Sequence, residues 1–413
     1  MVNPLDALAI EEKSLTCISE KGIEYFEEYK FRHLSKSYRA NSCADSSVLL
    51  IKIQNALKHS LPSSKEPLLL LSDGKDSMGL ALALSEMGVK CKTLTFLRNS
   101  DLKLKKYIND VTEKLGHKAY FVIVDDIQAK YDTKIFLDAC QKMDTPILDQ
   151  AFFFFLFGCK LFFEREELNP NDYVIVDGLG NDEYFGYLAS KKQLQSFSLS
   201  RLGLWKLLPR SIPALRWYIR SPSESHGDLS ALAAFFPFGQ SYDLNKFFSK
   251  IPKSLDELEF IDFRAFSRGA FHDHQCMMGK TIATAKYLSS DVIFPWADAS
   301  LAEYCFNLPL SAKFDFKNLK NKLLLRSLLE NKIDWKQEKR GVDLYFDLDM
   351  VFFKNEILGE LVPKHMIDKI DGSFLLSSSV KQRAYLELHN FYGYCLSHGL
   401  SEFEVEQILM GKP

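Results

Sequence analysis

Residues Leu68 to Ser77 read LLLLSDGKDS: an apolar run breaks into Ser72, Asp73, Gly74, Lys75, Asp76 and Ser77, then passes into MGLALALSEMG. A short apolar run closed by a polar glycine turn predicts a buried parallel strand over 68–71, with a helix after Ser77. Gly74 permits a tight turn. Ser72, Ser77 and the free N–H groups at the helix start can then face a single anion. The spelling is not that of the GxxxxGK[ST] loop, because it has one glycine and its lysine precedes Asp-Ser. Taken by itself, the segment also reads as a polar turn that only caps a helix.

A second segment repeats the grammar. Tyr173 to Tyr187 reads YVIVDGLGNDEYFGY: a β-rich run, a turn with Gly178 and Gly180, and then the adjacent acids Asp182 and Glu183. Two such strand ends can lie side by side at the carboxyl edge of one parallel sheet, where open α/β sheets bind ligands. One would offer N–H groups and Lys75 to phosphate oxygens, and the other would offer carboxylates. Carboxylates beside phosphates suit Mg²⁺, which takes hard oxygen ligands.

In this order, the two segments resemble the signature of the asparagine synthetase-like branch of the N-type ATP pyrophosphatases, the PP-loop superfamily. The family's SGGxDS is matched by Ser72 to Ser77, with Asp73 in place of a glycine. Its SGxGxDExFGGY is matched by Asp177 to Tyr187, with aspartate in place of serine and one glycine missing. Asp144, Thr145 and Pro146 are similar to the acid-x-Pro element, and Asp291 to Asp298 (DVIFPWAD) to ExRxPFLD. Lys322, Leu325 and Arg326 are similar to KxxLR, and Lys339 with Gly341 to the late KxG motif. The likeness covers residues 45 to 345. It implies an α/β fold, a parallel sheet of the adenine nucleotide alpha hydrolase-like kind flanked by helices, with a mostly helical carboxyl-terminal region.

The organisation read from the residues agrees with that fold class. Residues 1–66 read as a helical appendage, 67–190 as the ATP-binding α/β unit, and 191–413 as a mostly helical continuation carrying the substrate pocket. Strands are expected at 68–71, 92–97, 119–124 and 173–177, alternating with helices after Ser77, at 102–115 and around 147–165, as a helix-covered parallel sheet requires. With 413 residues and 46% hydrophobic content, the chain can fill a substantial core. A formal net charge of −2 gives no global basic field to recruit nucleic acid. The eight cysteines form no CxxC pair and read as reduced thiols of a cytoplasmic protein. MVNPLDALAIEEKS has acids where a secretory signal needs a basic region. AFFFFLFGCKLFF, Ala151 to Phe163, is too short to span a membrane and contains Lys160; it reads as a helix buried against the sheet.

The resemblance implies carboxylate activation: ATP is cleaved to pyrophosphate and AMP through an acyl-adenylate, which a nitrogen nucleophile then attacks. Ser72, Asp73, Gly74, Lys75, Asp76, Ser77, Gly178 and Gly180 are the implied ATP and pyrophosphate site, and Asp76 and Asp182 the implied Mg²⁺ ligands. Lys75, Asp291 and Lys339 are the implied catalytic residues. About 65 residues precede the loop, too few for the glutaminase domain of glutamine-using relatives. The expected nitrogen source is therefore free ammonia, a separate glutaminase subunit or an amine on the substrate. The acceptor would be a carboxylated small molecule, sugar or peptide, and Ile293 in place of the family's arginine argues against importing aspartate. Two other readings stand: a scaffold that keeps the fold without catalysis, and an N-type pyrophosphatase acting on a nucleobase. His272, His274 and Cys276 have zinc-type donors but no second pair. Arg216 to Tyr218 could stack a base.

Overall fold

The computed structural model describes residues 43–143, 147, 149, 151–182, 184–186, 277–336, 357–372 and 378–409, with 191, 194, 195, 198 and 199. Among the described residues the first helix, α1 (Ser46–Ser60), is capped by the Asp45 carboxylate, which accepts the Ser47 N–H at 2.7 Å. Leu49, Leu50, Ile53, Ala56 and Leu57 recur every three or four residues along it and are buried. There follow β1 (Glu66–Leu70), α2 (Lys75–Glu86), β2 (Lys92–Leu97), α3 (Leu102–Lys114) and β3 (Lys118–Ile123). Next come α4 (Val124–Gln128), α5 (Thr133–Gln141), α6 (Phe152–Arg165) and β4 (Tyr173–Val176).

Five strands form one parallel sheet in the order β3-β2-β1-β4-β5, where β5 is Asp291–Ile293. The chain leaves β1 towards β2 and β3 on one side, and later fills β4 and β5 on the other. The switch point lies between β1 and β4, and both motifs leave the sheet there. Side chains alternate across β1: Leu68 and Leu70 join one apolar core, Leu69 and Leu71 the other. The first core is filled by α6, whose Phe152, Phe153, Phe154, Phe157, Phe162 and Phe163 are all buried, as expected of the phenylalanine-rich segment. α1 and α2 cover the opposite face with α8 (Ala299–Phe306) and α10 (Leu323–Ile333).

The described residues also include an extensive helical carboxyl-terminal region. α7 (Met278–Leu288) packs on α6, and a short α9 (Leu310–Lys313) leads into the two-stranded hairpin β6 (Phe314–Asp315) and β7 (Lys320–Asn321). After α11 (Gly359–Leu361) and α12 (Lys364–Asp371), the long α13 (Ser378–Ser397) lies on α5, and α14 (Glu402–Leu409) folds back on it. Asn390 of α13 donates through Nδ2 to the Asp149 carbonyl at 2.9 Å, and His398 Nε2, just beyond α13, lies 3.0 Å from the Met143 carbonyl. The strand β5 was not expected. At three residues it carries too little periodic pattern, and the turn before it rests on left-handed Ser289. Helix α2 starts at Lys75, not after Ser77, so Lys75, Asp76 and Ser77 occupy its first turn. No helix among the described residues is long and apolar enough to cross a membrane. The six cysteines among them are free.

Candidate active site

The chain leaves β1 under tight control. Leu71 N–H bonds to the Leu94 carbonyl at 2.9 Å, and the Leu71 carbonyl accepts from Thr95 Oγ1 at 2.8 Å. The turn then closes on itself through its two serines. Ser72 N–H donates to Ser77 Oγ at 3.1 Å, Gly74 N–H donates to Ser72 Oγ at 3.1 Å, and the two hydroxyls lie 3.2 Å apart. Gly74 is the N-cap of α2, and no side chain caps it. The first turn therefore presents N–H groups of the kind that bind anions.

The second motif packs against this turn at backbone distance. A Cβ placed on Gly178 would sit 3.0 Å from Ser77 N and 3.1 Å from Ser77 Cα, main-chain atoms that cannot swing aside. Gly180 has φ +107°, a conformation that glycine adopts without strain, and lies against the turn Pro295–Ala297. Gly178→Ala is expected to wedge the motifs apart and to lower stability by about 1–3 kcal/mol, read as a shift in urea midpoint. An unchanged midpoint would show that the two turns have room to part.

Lys322, at the N-cap of α10, joins the motifs. It is 0% exposed, and its Nζ lies 3.0 Å from both Asp76 oxygens and 2.5 Å from Asp182 Oδ1, with Asn181 Oδ1 as a further partner. Asn181 Nδ2 in turn donates to Asp76 Oδ1 at 2.6 Å. Lys322 adopts φ 54°, ψ 48°, an uncommon left-handed conformation for a side-chain-bearing residue, and one found where surrounding contacts over-determine the backbone. Those contacts are visible. Asn321 Nδ2 donates to the Gly186 carbonyl at 3.0 Å, and Arg326 Nε donates to the Asn321 carbonyl at 2.8 Å.

Two tryptophans hold the first turn from behind. Trp296 Nε1 donates to the Asp76 carbonyl at 3.1 Å, and Trp335 Nε1 to the Asp73 carbonyl at 3.0 Å, with the Arg326 guanidinium 5.4 Å from the Trp335 ring centre. Asp73, the residue that departs from the glycine of the resembled motif, is buried in a turn that closes around it.

Electrostatics follow from this packing. Burial opposes ionisation of Asp76, but the charges of Lys322 and Lys75 and hydrogen bonds from Asn181 and Lys322 outweigh it and hold the carboxyl below its usual range. Burial also works against a charged Lys322, and the Asp182 and Asp76 carboxylates reverse it, so this ammonium is held above the usual lysine value. Lys75 is pushed down, first by burial, with Lys322 and Arg326 adding to the effect.

Ser72, Asp73, Gly74, Lys75, Asp76, Ser77, Gly178, Gly180 and Asp182 thus lie in the two turns that meet at this edge. Asp291 is placed elsewhere. Paired with Val174 at the entry of β4 and β5, it sits at the opposite end of the ladder, 55% exposed and 2.9 Å from Lys65, so the catalytic expectation for it has no support in its position. What its motif brings to the site is Trp296, while Asp298 caps α8 by accepting the N–H groups of Ser300 and Leu301, each at 3.0 Å. Lys339, Asp144 to Pro146, Glu183, Arg216 to Tyr218, His272, His274 and Cys276 lie outside the described residues. Asn181, Trp296, Lys322, Arg326 and Trp335 were not expected in the site. The likeness to KxxLR had marked Lys322 and Arg326 without a role.

Asp76 and Asp182 were also expected to hold Mg²⁺. Their oxygens have the right chemistry and converge on one point, but that point is taken by Lys322 Nζ, so the pair as it stands does not fit a metal ion. Among the described residues, no three His, Cys, Asp or Glu side chains come together where a metal could sit.

No curated protein matches the chain at a significant level. A family model, Asparagine synthase, matches residues 49–344, about seven-tenths of the sequence, and that span contains every element just described at the sheet edge. The chain belongs to the asparagine synthase family.

Proposed function

We propose that this protein is an ATP-dependent carbon–nitrogen ligase that forms AMP and pyrophosphate while joining a nitrogen nucleophile to a substrate carboxylate. The observation that carries this reading is the meeting of both motifs around Lys322 at the β1/β4 switch point, where α/β sheets take their ligands. A carboxylate oxygen attacks the α-phosphorus, and the bond to the β,γ-diphosphate breaks with its electron pair leaving on pyrophosphate. The nitrogen nucleophile then displaces AMP from the acyl-adenylate and loses a proton. Ser72, Gly74, Ser77 and the first N–H groups of α2 would hold the departing diphosphate, while Lys75 and Lys322 would balance the charge that grows on it. The acceptor is a carboxylated small molecule, sugar or peptide. Its nitrogen comes from ammonia, from a separate glutaminase subunit or from an amine on the substrate itself.

The test is the fate of labelled ATP in the presence of candidate carboxylates. An α-phosphate label is expected in AMP and a γ-phosphate label in pyrophosphate. ADP as the first product would overturn this reaction class.

A further inference from the structure

We propose that Lys322 is the resident cation of the Asp76–Asp182 pair, so that the nucleotide-free protein binds no divalent ion there. A divalent ion can share these carboxylates only after a polyphosphate has drawn the ammonium away. The inference deepens the reading of this edge as a nucleoside triphosphate site and rests on it for the identity of the polyphosphate.

The geometry supplies the reasons. Both carboxylates are spent on one ammonium, at 3.0 Å and 2.5 Å, and Asn181 fills the remaining side of the group by donating to Asp76 and facing Lys322 Nζ through its oxygen. A buried ammonium set between two carboxylates occupies the place a second cation would take and leaves it no free oxygen pair to chelate. Lys75 and Arg326 place two further cations beside the pair. Asp76 and Asp182 are 26% and 28% exposed, and Lys322 is 0% exposed. A polyphosphate arriving from solvent would meet the carboxylate rim together with the serine and N–H cradle. Its negative charge is what can compete for Lys322. A chain whose two carboxylates formed an open cation site would instead bind metal first and nucleotide second. The order of binding therefore separates the two designs.

The experiment is a Mn²⁺ titration of the full chain, followed by electron paramagnetic resonance. Without nucleotide, the wild type is expected to hold no Mn²⁺ with a Kd below about 1 mM. With a non-hydrolysable α,β-methylene ATP present, one Mn²⁺ is expected at least about tenfold tighter than the analogue alone binds it. Lys322→Met empties the space between the carboxylates. It is expected to gain one Mn²⁺ site without nucleotide, at least about tenfold tighter than wild type, together with a Tm that rises with Mn²⁺. Asp182→Asn added to Lys322→Met should remove that site. A wild type that binds one Mn²⁺ tightly without nucleotide and loses it in Asp76→Asn overturns the proposal, as does a folded Lys322→Met that gains none. If Lys322→Met fails to fold, the wild-type titrations with and without the analogue still decide. No arm involves turnover, so ADP as the reaction product would end the ligase reading and leave this result standing.

Discussion

Asp76→Ala and Asp182→Ala are each expected to leave a folded chain and to lower AMP and pyrophosphate formation by about 10²–10³. The two losses should be similar, because both carboxylates act on the same group. Asp76 holds Lys322 with two oxygens at 3.0 Å, and Asp182 holds it with one at 2.5 Å. Removing either one leaves the buried ammonium with a single carboxylate and takes away half of the acidic pair that faces the polyphosphate site. Stability, read from the urea midpoint, should fall by about 1–3 kcal/mol in each variant, the usual loss when a buried charge gives up one hydrogen-bonding partner. Turnover close to wild type in either variant would take that residue out of the site.

Acid should unfold this protein partly through one buried histidine of α13. His389 on α13 is fully buried against Phe136, with ring centres 4.4 Å apart, and its Nε2 lies 3.0 Å from the Tyr131 hydroxyl. Burial lowers its pKa from 6.5 to about 4. Between these values the unfolded chain binds a proton that the folded chain refuses, so stability is complete above pH 6.5 and declines as pH falls towards 4. The full loss is about 3 kcal/mol. His389→Phe keeps a ring in the same space and removes the titration. Its stability, read from urea midpoints, should fall between pH 7 and pH 4 by that much less than the wild type's, and parallel curves would refute the assignment.

The first four strands were legible because each is a β-rich or leucine-rich run closed by a polar turn, with helices of ordinary length between them. Strand β5 was not, since three residues carry no period and its place is set by pairing with β4 across 114 intervening positions. The cradle residues were legible for a local reason: a serine–glycine turn at the start of a helix states its anion preference within a few residues. Lys322 was not, because its partners, Asp76 and Asp182, are 246 and 140 positions away, and its role depends on a left-handed backbone that no neighbouring residue announces. Trp296 and Trp335 were hidden for the opposite reason. A buried tryptophan reads as core, and only the direction of its N–H reveals that it holds a loop.

Helix α13 lies beyond residue 344, where the match to the family ends, yet it and the residue that follows it reach back into the matched region, Asn390 at the Asp149 carbonyl and His398 beside the Met143 carbonyl. Those two carbonyls flank the stretch that carries Asp144, Thr145 and Pro146. The segment the family shares is therefore fastened, at both of its flanks, by a tail the family model does not cover.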